Sequence, residues 1–598
     1  METLCRDLMR EWCESLLRLQ IKGTGDKRMD GGILCPACGR IHGRCAESMY
    51  PFMRMAAQEG KEQRKLWTAG AKSVFSWAKN MVGQRDGSFL NDIDSDWKGT
   101  TVFFVVSLAE CLRLYGDLLD RETKREWEDQ LRETARFLLR FHSLLDNNIN
   151  YPISNGLALF LCGRVLGEEA WIEKAEELVE MAGDMLTENG LIYGEGVPRE
   201  RRSRRGCRPV DIGYNVEETL PNLAMYGKLK KDQKICRLAK KSLKAHLEFM
   251  MEDGGWDNSF GTRNYNWSYW GSRTCDGCGL GYLLFADEER TFRTAARQNI
   301  QLLRECTVKG LLMGGPHYEA AGQAPCVHHT FTHAKVLAGI LDAGLEGYLD
   351  ADPEGDQAAG PEEGIRYFPE ISCCKVRLGP LYETVSASDW EYLPGGHAQG
   401  GTLSMVFHRQ AGPLMCSGIC RYTLKEPANM QIPYQVRHEC LALRIEREEA
   451  GEIYSSVYED CPQVEAENNR IRAKGRLKNI RHEALPGGEG GYEFEYVFEE
   501  HRIRIKAVFT RGKLICPVIS REDEEVREEK EKDALSLVEI KKKVPLSIKL
   551  YGAVALPYGK ERIFNLIPGF QALRIDVEPE LGVAEIALAV PFKIKRTV

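Results

Sequence analysis

Up to about residue 345, apolar side chains recur at the spacing of a helix face, as in Trp127, Leu131, Ala135, Leu138 and Phe141, or Trp171, Ala175, Leu178, Ala182 and Met185. The same reading predicts helices near 103–115, 215–228, 235–251, 289–305 and 328–342, separated by loops rich in Gly, Asn, Asp and Pro such as Asp253 to Asn258. Asp350 to Gly364 is acidic, Gly/Pro-rich and nearly without large apolar groups, so it reads as a linker or surface loop. Beyond it the period changes from 3.6 to 2. Tyr492 to Tyr496 and Arg502 to Lys506 alternate strictly, and Leu546 to Leu550 and Val583 to Lys593 are strand-like, which predicts antiparallel sheet with one wet face. The charged run Arg521 to Lys532 reads as a solvated hairpin tip or loop. The fold class that follows is multidomain α+β. An N-terminal α/α toroid of helical hairpins (residues 1–350) is followed by a linker (351–366) and a C-terminal antiparallel β-sandwich (367–598).

Composition narrows the function classes. With 598 residues, 43% hydrophobic and 28% charged, the chain is globular, neither disordered nor a small disulfide scaffold. The formal net charge of −7, from 81 basic and 88 acidic side chains, argues against broad nucleic-acid binding, so an anionic ligand must be met by local basic residues. No stretch reaches the roughly 18 apolar residues of a membrane span. Arg6, Arg10, Glu11 and Glu14 interrupt the apolar positions of Met1 to Gln20, which leaves no secretory core and predicts a cytoplasmic protein. Its twenty cysteines are then expected to be reduced, buried small hydrophobes.

The candidate chemistry gathers in the loops. Asp146 to Asn155 places four asparagines around Pro152, a residue suited to the first turn of the helix that follows. Asn150 and Asn155 are either turn and cap residues or uncharged donors to a substrate carboxylate. Gly190 to Gly196 precedes six arginines between Arg199 and Arg208, a solvated loop or, beside a groove, an attractor of polyanions. Tyr214 follows at a helix start, where a positive field favours phenolate and fits the residue to take and return a proton. Asn258 to Arg273 holds five aromatics and, in Arg263 and Arg273, two arginines. It reads as a sugar platform of Trp267, Tyr269 and Trp270, or as a buried structural loop.

Two histidine groups follow, His317-Tyr318 and His328 to His333. His329 and His333 have the helical spacing of metal ligands, but Thr330 stands where a metalloprotease motif has glutamate, so groove-lining donors are the preferred reading. His397 lies between Asp389 and His408 as a metal ligand, catalytic group or loop cap. Near the N-terminus, Cys35, Cys38, His42 and Cys45 have zinc-knuckle order, with gaps tight for one tetrahedral site. His42, Arg44 and the Asn91 to Lys98 stretch with Trp97 are alternatively groove residues.

The motifs Cys35 to Arg44, Asn150 to Leu159, Asp211 to Glu217, Asn266 to Arg273, Gly315 to Tyr318 and Gly396 to Gly401 resemble the heparinase II/III-like polysaccharide lyases, nearest the glycosaminoglycan lyases of polysaccharide lyase family 35. The resemblance covers nearly the whole chain. It implies β-elimination on a uronic-acid glycan, with an anionic polysaccharide or oligosaccharide as partner. Carried over residue by residue, it makes Asn150, with Asn155 as an alternative, the carboxylate-neutralising amide and Tyr214 the acid/base. His328 and His397 join them as catalytic candidates, and His42, Arg44, Trp97, Arg208, Arg263, Trp267, Tyr269, Trp270, Arg273, His317 and Tyr318 are expected to bind substrate. The family's sheet-domain zinc site is broken here, because Gln399-Gly400 and Met415-Cys416 stand where its acids are expected. No cofactor is required by this reading, which leaves a divalent metal (zinc, manganese or calcium) on His397, Asp389 and His408 as an option. A toroidal glycoside hydrolase using Asp92, Asp94 or Glu195, or a noncatalytic glycan-binding protein, are the alternatives.

Overall fold

The computed structural model describes residues 2–263, 278–315, 319, 322, 324–349, 363–392, 397–417, 438–439, 442–520, 524–530, 536–542, 546–552, 563–564 and 571–591. The chain forms two compact units. Met1–Arg199, Ile212–Met250 and Ser272–Ala359 make the first, and Glu200–Asp211, Met251–Gly271 and Gly360–Val598 make the second. Two short excursions from the helical half therefore fold with the sheets. The predicted linker gives way to strand at Gly364–Phe368.

The first unit is built of helical hairpins in two layers. Thr101–Tyr115 and Asn150–Leu166 are buried on nearly every side, while their partners Arg121–Arg140 and Glu169–Asp184 bury one stripe each. An inner helix touched all round needs apolar residues all round, whereas an outer one needs a single face. Asp120 and Asp232 accept backbone N–H groups at the starts of Arg121–Arg140 and Gln233–His246. The first helix, Glu2–Leu19, packs against the last, Val327–Asp342, so the ring of hairpins closes on itself. The helix expected over 215–228 is interrupted. Ile212–Tyr214 runs into a π turn, Asn215–Thr219, before a regular helix resumes at Leu220–Lys230.

The second unit carries antiparallel sheets of eight, five and four strands among the described residues. In the eight-stranded sheet Gly491–Glu499 pairs with Arg502–Phe509, and the alternation read from the sequence is the alternation of burial. Phe494, Tyr496, Phe498, Ile503 and Ile505 face the core. The charged run differs from its expectation. Glu525–Lys530 is not a loop but the edge strand of this sheet, paired with Ser536–Lys541, where charge discourages further pairing. No described helix is long and apolar enough to cross a membrane. The described cysteines are free thiols, and all but Cys38 and Cys461 are buried.

Candidate active site

In the helical unit the structure builds a site around Asn150, the first residue of the helix Asn150–Leu166, with Pro152 in its first turn. Two glutamates fix it. The Asn150 backbone N–H donates to Glu195 Oε1 at 3.0 Å, and its side-chain Nδ2 donates to Glu218 Oε2 at 2.6 Å. The Ile149 N–H donates to Gly194 O at 2.9 Å, so the Gly190 to Gly196 loop acts as a brace for this turn. Gly194 has φ +117°, and a Cβ there would meet Ile149 Cβ at 3.0 Å, so glycine is required by both conformation and space. The Asn150 amide is almost completely buried, and among the described residues its Oδ1 has no hydrogen-bond partner.

Glu218 belongs to the π turn that begins directly after the buried Tyr214. Such a turn inserts a residue into the helical ladder and re-aims the side chains on either side of it, which is why π turns concentrate at working sites. Asn215 anchors the turn, donating through Nδ2 to Ile192 O at 2.8 Å and lying 3.1 Å from His246 Nε2.

A basic pair faces these carboxylates. Arg44 ion-pairs with Glu47, which also pairs with Lys335 from the last helix, and the Arg44 guanidinium lies 4.4 Å over the Phe103 ring. Burial works against the Arg44 charge, but Glu47 and then Glu218 hold its pKa above the ordinary value. Arg44, Phe103, Glu217, Glu218, Asn222 and Lys335 line one pocket of this unit. Next to Asn150 in sequence, the Tyr151 hydroxyl accepts from Trp97 Nε1 at 3.0 Å with the rings edge-on, 5.4 Å apart. Asn150, Arg44, Trp97 and Tyr151 thus combine an amide, a cation and an aromatic wall, groups suited to a carboxylated sugar.

His42 is buried with its ring 5.2 Å from that of His328, which stacks in turn on Phe331. Burial pulls the His42 pKa down, but Asp92 and Cys35 outweigh it and raise it. Asn155 is not beside Asn150. Five residues along a helix is a rotation of about 140°, so the two amides leave on different faces. His333 Nδ1 bonds to His329 O at 2.6 Å, a helix-internal contact rather than a shared ligand geometry.

The other candidates lie in the sheet unit. His397 is fully buried, with Nδ1 3.1 Å from Asp389 Oδ2, and Tyr392 N–H donates to Nε2 at 3.1 Å. The Tyr392 contact requires a lone pair on Nε2, so the ring proton sits on Nδ1 toward Asp389. Asp389 also accepts the Gly261 N–H at 2.8 Å, and Gln399 takes up the Asp389 N–H on Oε1 and donates to Glu391. His408 is not part of this arrangement. Its Nδ1 accepts the backbone N–H groups of Gln410 and Ala411 at the end of strand Thr402–His408. His397, Asp389 and His408 do not come together as three ligands, and the donor set does not fit the expected metal. Among the described residues the one group of three close ligand atoms is Cys35, Cys38 and His42.

The arginine run is docked rather than loose. Arg205 Nε donates to Ser372 Oγ at 2.8 Å, the Arg201 guanidinium covers the Trp390 ring at 4.1 Å, and the Arg208 N–H donates to Glu370 O. Arg263 is buried, its N–H donating to Asp211 Oδ2 at 2.8 Å. Trp267, Tyr269, Trp270, Arg273, His317 and Tyr318 lie outside the described residues. Of the carboxylates considered for hydrolysis, Asp94 is exposed and pairs with Arg40, and Glu195 serves Asn150. Sequence reasoning missed Glu47, Tyr151, Glu218 and Lys335. Tyr151 and Glu218 are neighbours in sequence of residues already singled out, and that adjacency was the available signal.

Comparison with known proteins agrees with this architecture. Residues 9–351 match the family model of the ulvan lyase N-terminal domain, and residues 365–593 match that of the ulvan lyase C-terminal domain. A broad-specificity ulvan lyase of Formosa agariphila is 35% identical over 98% of this chain and 94% of its own length. The fold is similar to the chondroitin AC lyase of Streptomyces coelicolor A3, with a TM-score of 0.52 and 9% identity over 99% of this chain and 80% of that one. A Paenibacillus xanthan lyase gives a TM-score of 0.54 at 9% identity, over 99% of this chain and 57% of that one. The resemblance to polysaccharide lyases and the toroid-plus-sheet architecture read from the sequence are therefore borne out. This chain belongs to the ulvan lyase family and is a polysaccharide lyase.

Proposed function

We propose that the chain cleaves ulvan or a closely related uronic-acid glycan by β-elimination, using Asn150 and Tyr214 of the helical unit. The observation that carries this reading is the 35% identity to a broad-specificity ulvan lyase along 98% of the chain, together with a braced, buried Asn150 beside a cation and an aromatic wall. The C5 proton of a uronate is barely acidic because the neighbouring carboxylate is already charged. A donor amide that meets that carboxylate, with Arg44 contributing positive charge, favours the enolate in the manner of an oxyanion hole. Tyr214 removes the C5 proton and returns one to the departing 4-oxygen. Electrons pass from the C5–H bond into the C4–C5 double bond as the C4–O bond breaks, so an unsaturated uronate forms without water being consumed. His397 is a separate candidate on the sheet unit, held in one tautomer by Asp389 and Tyr392.

The test is a product-resolved assay over ulvan, chondroitin sulfate, heparan sulfate, hyaluronan, xanthan and alginate. The expected result is the ultraviolet band of an unsaturated uronate, strongest on ulvan, and its loss in Tyr214→Phe with the thermal melt unchanged. New reducing ends without the band would indicate hydrolysis, and tight binding without any product would indicate a lectin-like role. Either outcome would overturn the proposal, as would full activity of Tyr214→Phe.

A further inference from the structure

Cys35 to Cys38 forms a tight turn inside the loop closed by the antiparallel bridge of Leu34 with Ile41, which adjoins the bridge of Gln20 with Ile33. Cys35 N–H donates to Arg40 O and Gly39 N–H donates to Cys35 O, both at 2.8 Å, and Gly39 takes φ +67° to close the turn. This folds the two cysteine side chains toward a common point, where His42 joins them. The Cys35 and Cys38 sulfurs and a ring nitrogen of His42 all lie within 4.8 Å of one another. Cys38 Sγ is 3.2 Å from His42 Nε2. A further sulfur, that of Cys326, lies 3.9 Å from Cys35 Sγ across 291 residues of chain.

We propose that Cys35, Cys38 and His42 bind a structural zinc ion, that Cys326 supplies the fourth ligand, and that the ion ties the N-terminal loop to the start of the last helix.

Two of the distances can be compared with the edges of a tetrahedral zinc site. With Zn–S near 2.3 Å and Zn–N near 2.0–2.1 Å, tetrahedral edges are about 3.8 Å between sulfurs and about 3.5 Å between sulfur and nitrogen. The Cys35 to Cys326 pair lies at that edge length, and the Cys38 to His42 pair is shorter by a few tenths of an ångström. A carboxylate also stands behind the imidazole. His42 turns Nε2 to the sulfurs and leaves Nδ1 facing Asp92 Oδ2 at 3.7 Å, the carboxylate–histidine arrangement that orients a zinc-bound imidazole. Cys35, His42 and Cys326 are buried and Cys38 is half-buried, as expected of a closed structural site.

Cys45, the fourth ligand suggested by spacing, lies outside the three-atom group, as Cys326 also does, but it is Cys326 whose sulfur reaches 3.9 Å from Cys35 Sγ. Cys45 sits in the 3-10 turn Gly43–Ser48, where its N–H donates to His42 O. Cys326 instead precedes Val327–Asp342, the helix that meets Glu2–Leu19 where the ring of hairpins closes. An ion at this seam joins residues far apart in sequence, where a cross-link constrains the unfolded chain most. It also holds His42 against His328, which makes His42 a positioning residue rather than a sugar contact.

The test uses the full chain purified without chelator. Elemental analysis is expected to find about one zinc per chain, as a single four-ligand site requires. After exchange into cobalt(II), the protein should show the thiolate-to-cobalt charge-transfer band and the visible bands of a tetrahedral site. Cys326→Ser should weaken the charge-transfer band by roughly one third, one thiolate of three. Cys38→Ser should lose most of the metal, and Cys45→Ser should keep all of it. If the cysteine variants fail to fold, the cobalt spectrum of the unaltered protein decides. Absence of stoichiometric zinc together with no cobalt–thiolate band, a Cys35–Cys326 disulfide in non-reduced peptides, or metal loss in Cys45→Ser equal to that in Cys38→Ser would each overturn the proposal.

Discussion

Asn150 carries no charge, yet two carboxylates hold it, one through its backbone and one through its amide. A neutral donor gripped by Glu218 can be presented to a substrate carboxylate without adding a positive charge that would have to be desolvated in a buried site. Removing it should therefore affect the developing enolate more than binding. Asn150→Ala is expected to lower kcat by about 10²–10³-fold, the usual effect of deleting one oxyanion donor, with a much smaller change in KM. Glu218→Gln keeps an oxygen facing Nδ2 but loses the charge, so its fall should be smaller, roughly five- to tenfold. Initial rates from the ultraviolet band, with melts to show that both variants fold, check the pair. If Glu218→Gln is as severe as Asn150→Ala, Glu218 itself takes part in the chemistry and is not only a positioning residue.

The elements differ in how openly the sequence displays them. Arg121–Arg140 and Glu169–Asp184 are outer helices with one buried stripe, and their period is visible without a structure. Thr101–Tyr115 and Asn150–Leu166 are inner helices touched on all sides, so period alone marks them weakly; length and the asparagine-proline start are the better signals. Gly491–Glu499 and Arg502–Phe509 were legible because one face of each is wet. The π turn at Asn215–Thr219 left no mark in the pattern, since its five residues are too few for a change of phase to stand out among short apolar runs. Cys326 was hidden for a different reason: its partner is 291 residues away, and no local rule reaches that far. The loop from Gly190 to Gly196 braces the Asn150 turn through Gly194 O and Glu195. Gly194→Ala puts a side chain at φ +117° against Ile149, a strain of about 1–3 kcal/mol. The expected outcome is a lower urea midpoint together with a reduced kcat, although the residue touches no substrate. A variant with unchanged midpoint and unchanged kcat would show that the loop does not position Asn150.

Across the molecule three described histidines, His482, His246 and His408, divide into two kinds, and the division sets how their contribution to stability depends on pH. His482 turns both ring nitrogens to acceptors, Nδ1 to Tyr458 O at 2.7 Å and Nε2 to Glu391 Oε2 at 3.0 Å. Only the imidazolium can donate to both, and the Glu391 bond raises its pKa from 6.5 to about 9 against the opposing effect of burial. His246 faces one acceptor, Ser242 O, and one donor, Asn215 Nδ2, and burial lowers its pKa from 6.5 to about 4. His408 accepts two backbone N–H groups on Nδ1, and burial, followed by His501, lowers it likewise to about 4. A raised folded-state pKa means that the His482 contribution is complete below 6.5 and is lost as the pH climbs through about 9. A depressed one means that the His246 and His408 contributions are complete above 6.5 and are lost as the pH falls through about 4. Glu47, held at about 2 by Arg44 and Lys335 against burial, adds its own loss only below its ordinary 4.5. The two histidine windows meet at the ordinary imidazole pKa, so these groups place the stability maximum near pH 6.5. Thermal melts across about pH 4 to 10 should trace that dome. His482→Asn should flatten the limb between 6.5 and 9 and leave the acid limb as it was, because the groups that shape the two limbs are different. An alkaline limb of the same slope in the variant would mean that the charge on His482 does not stabilise the fold.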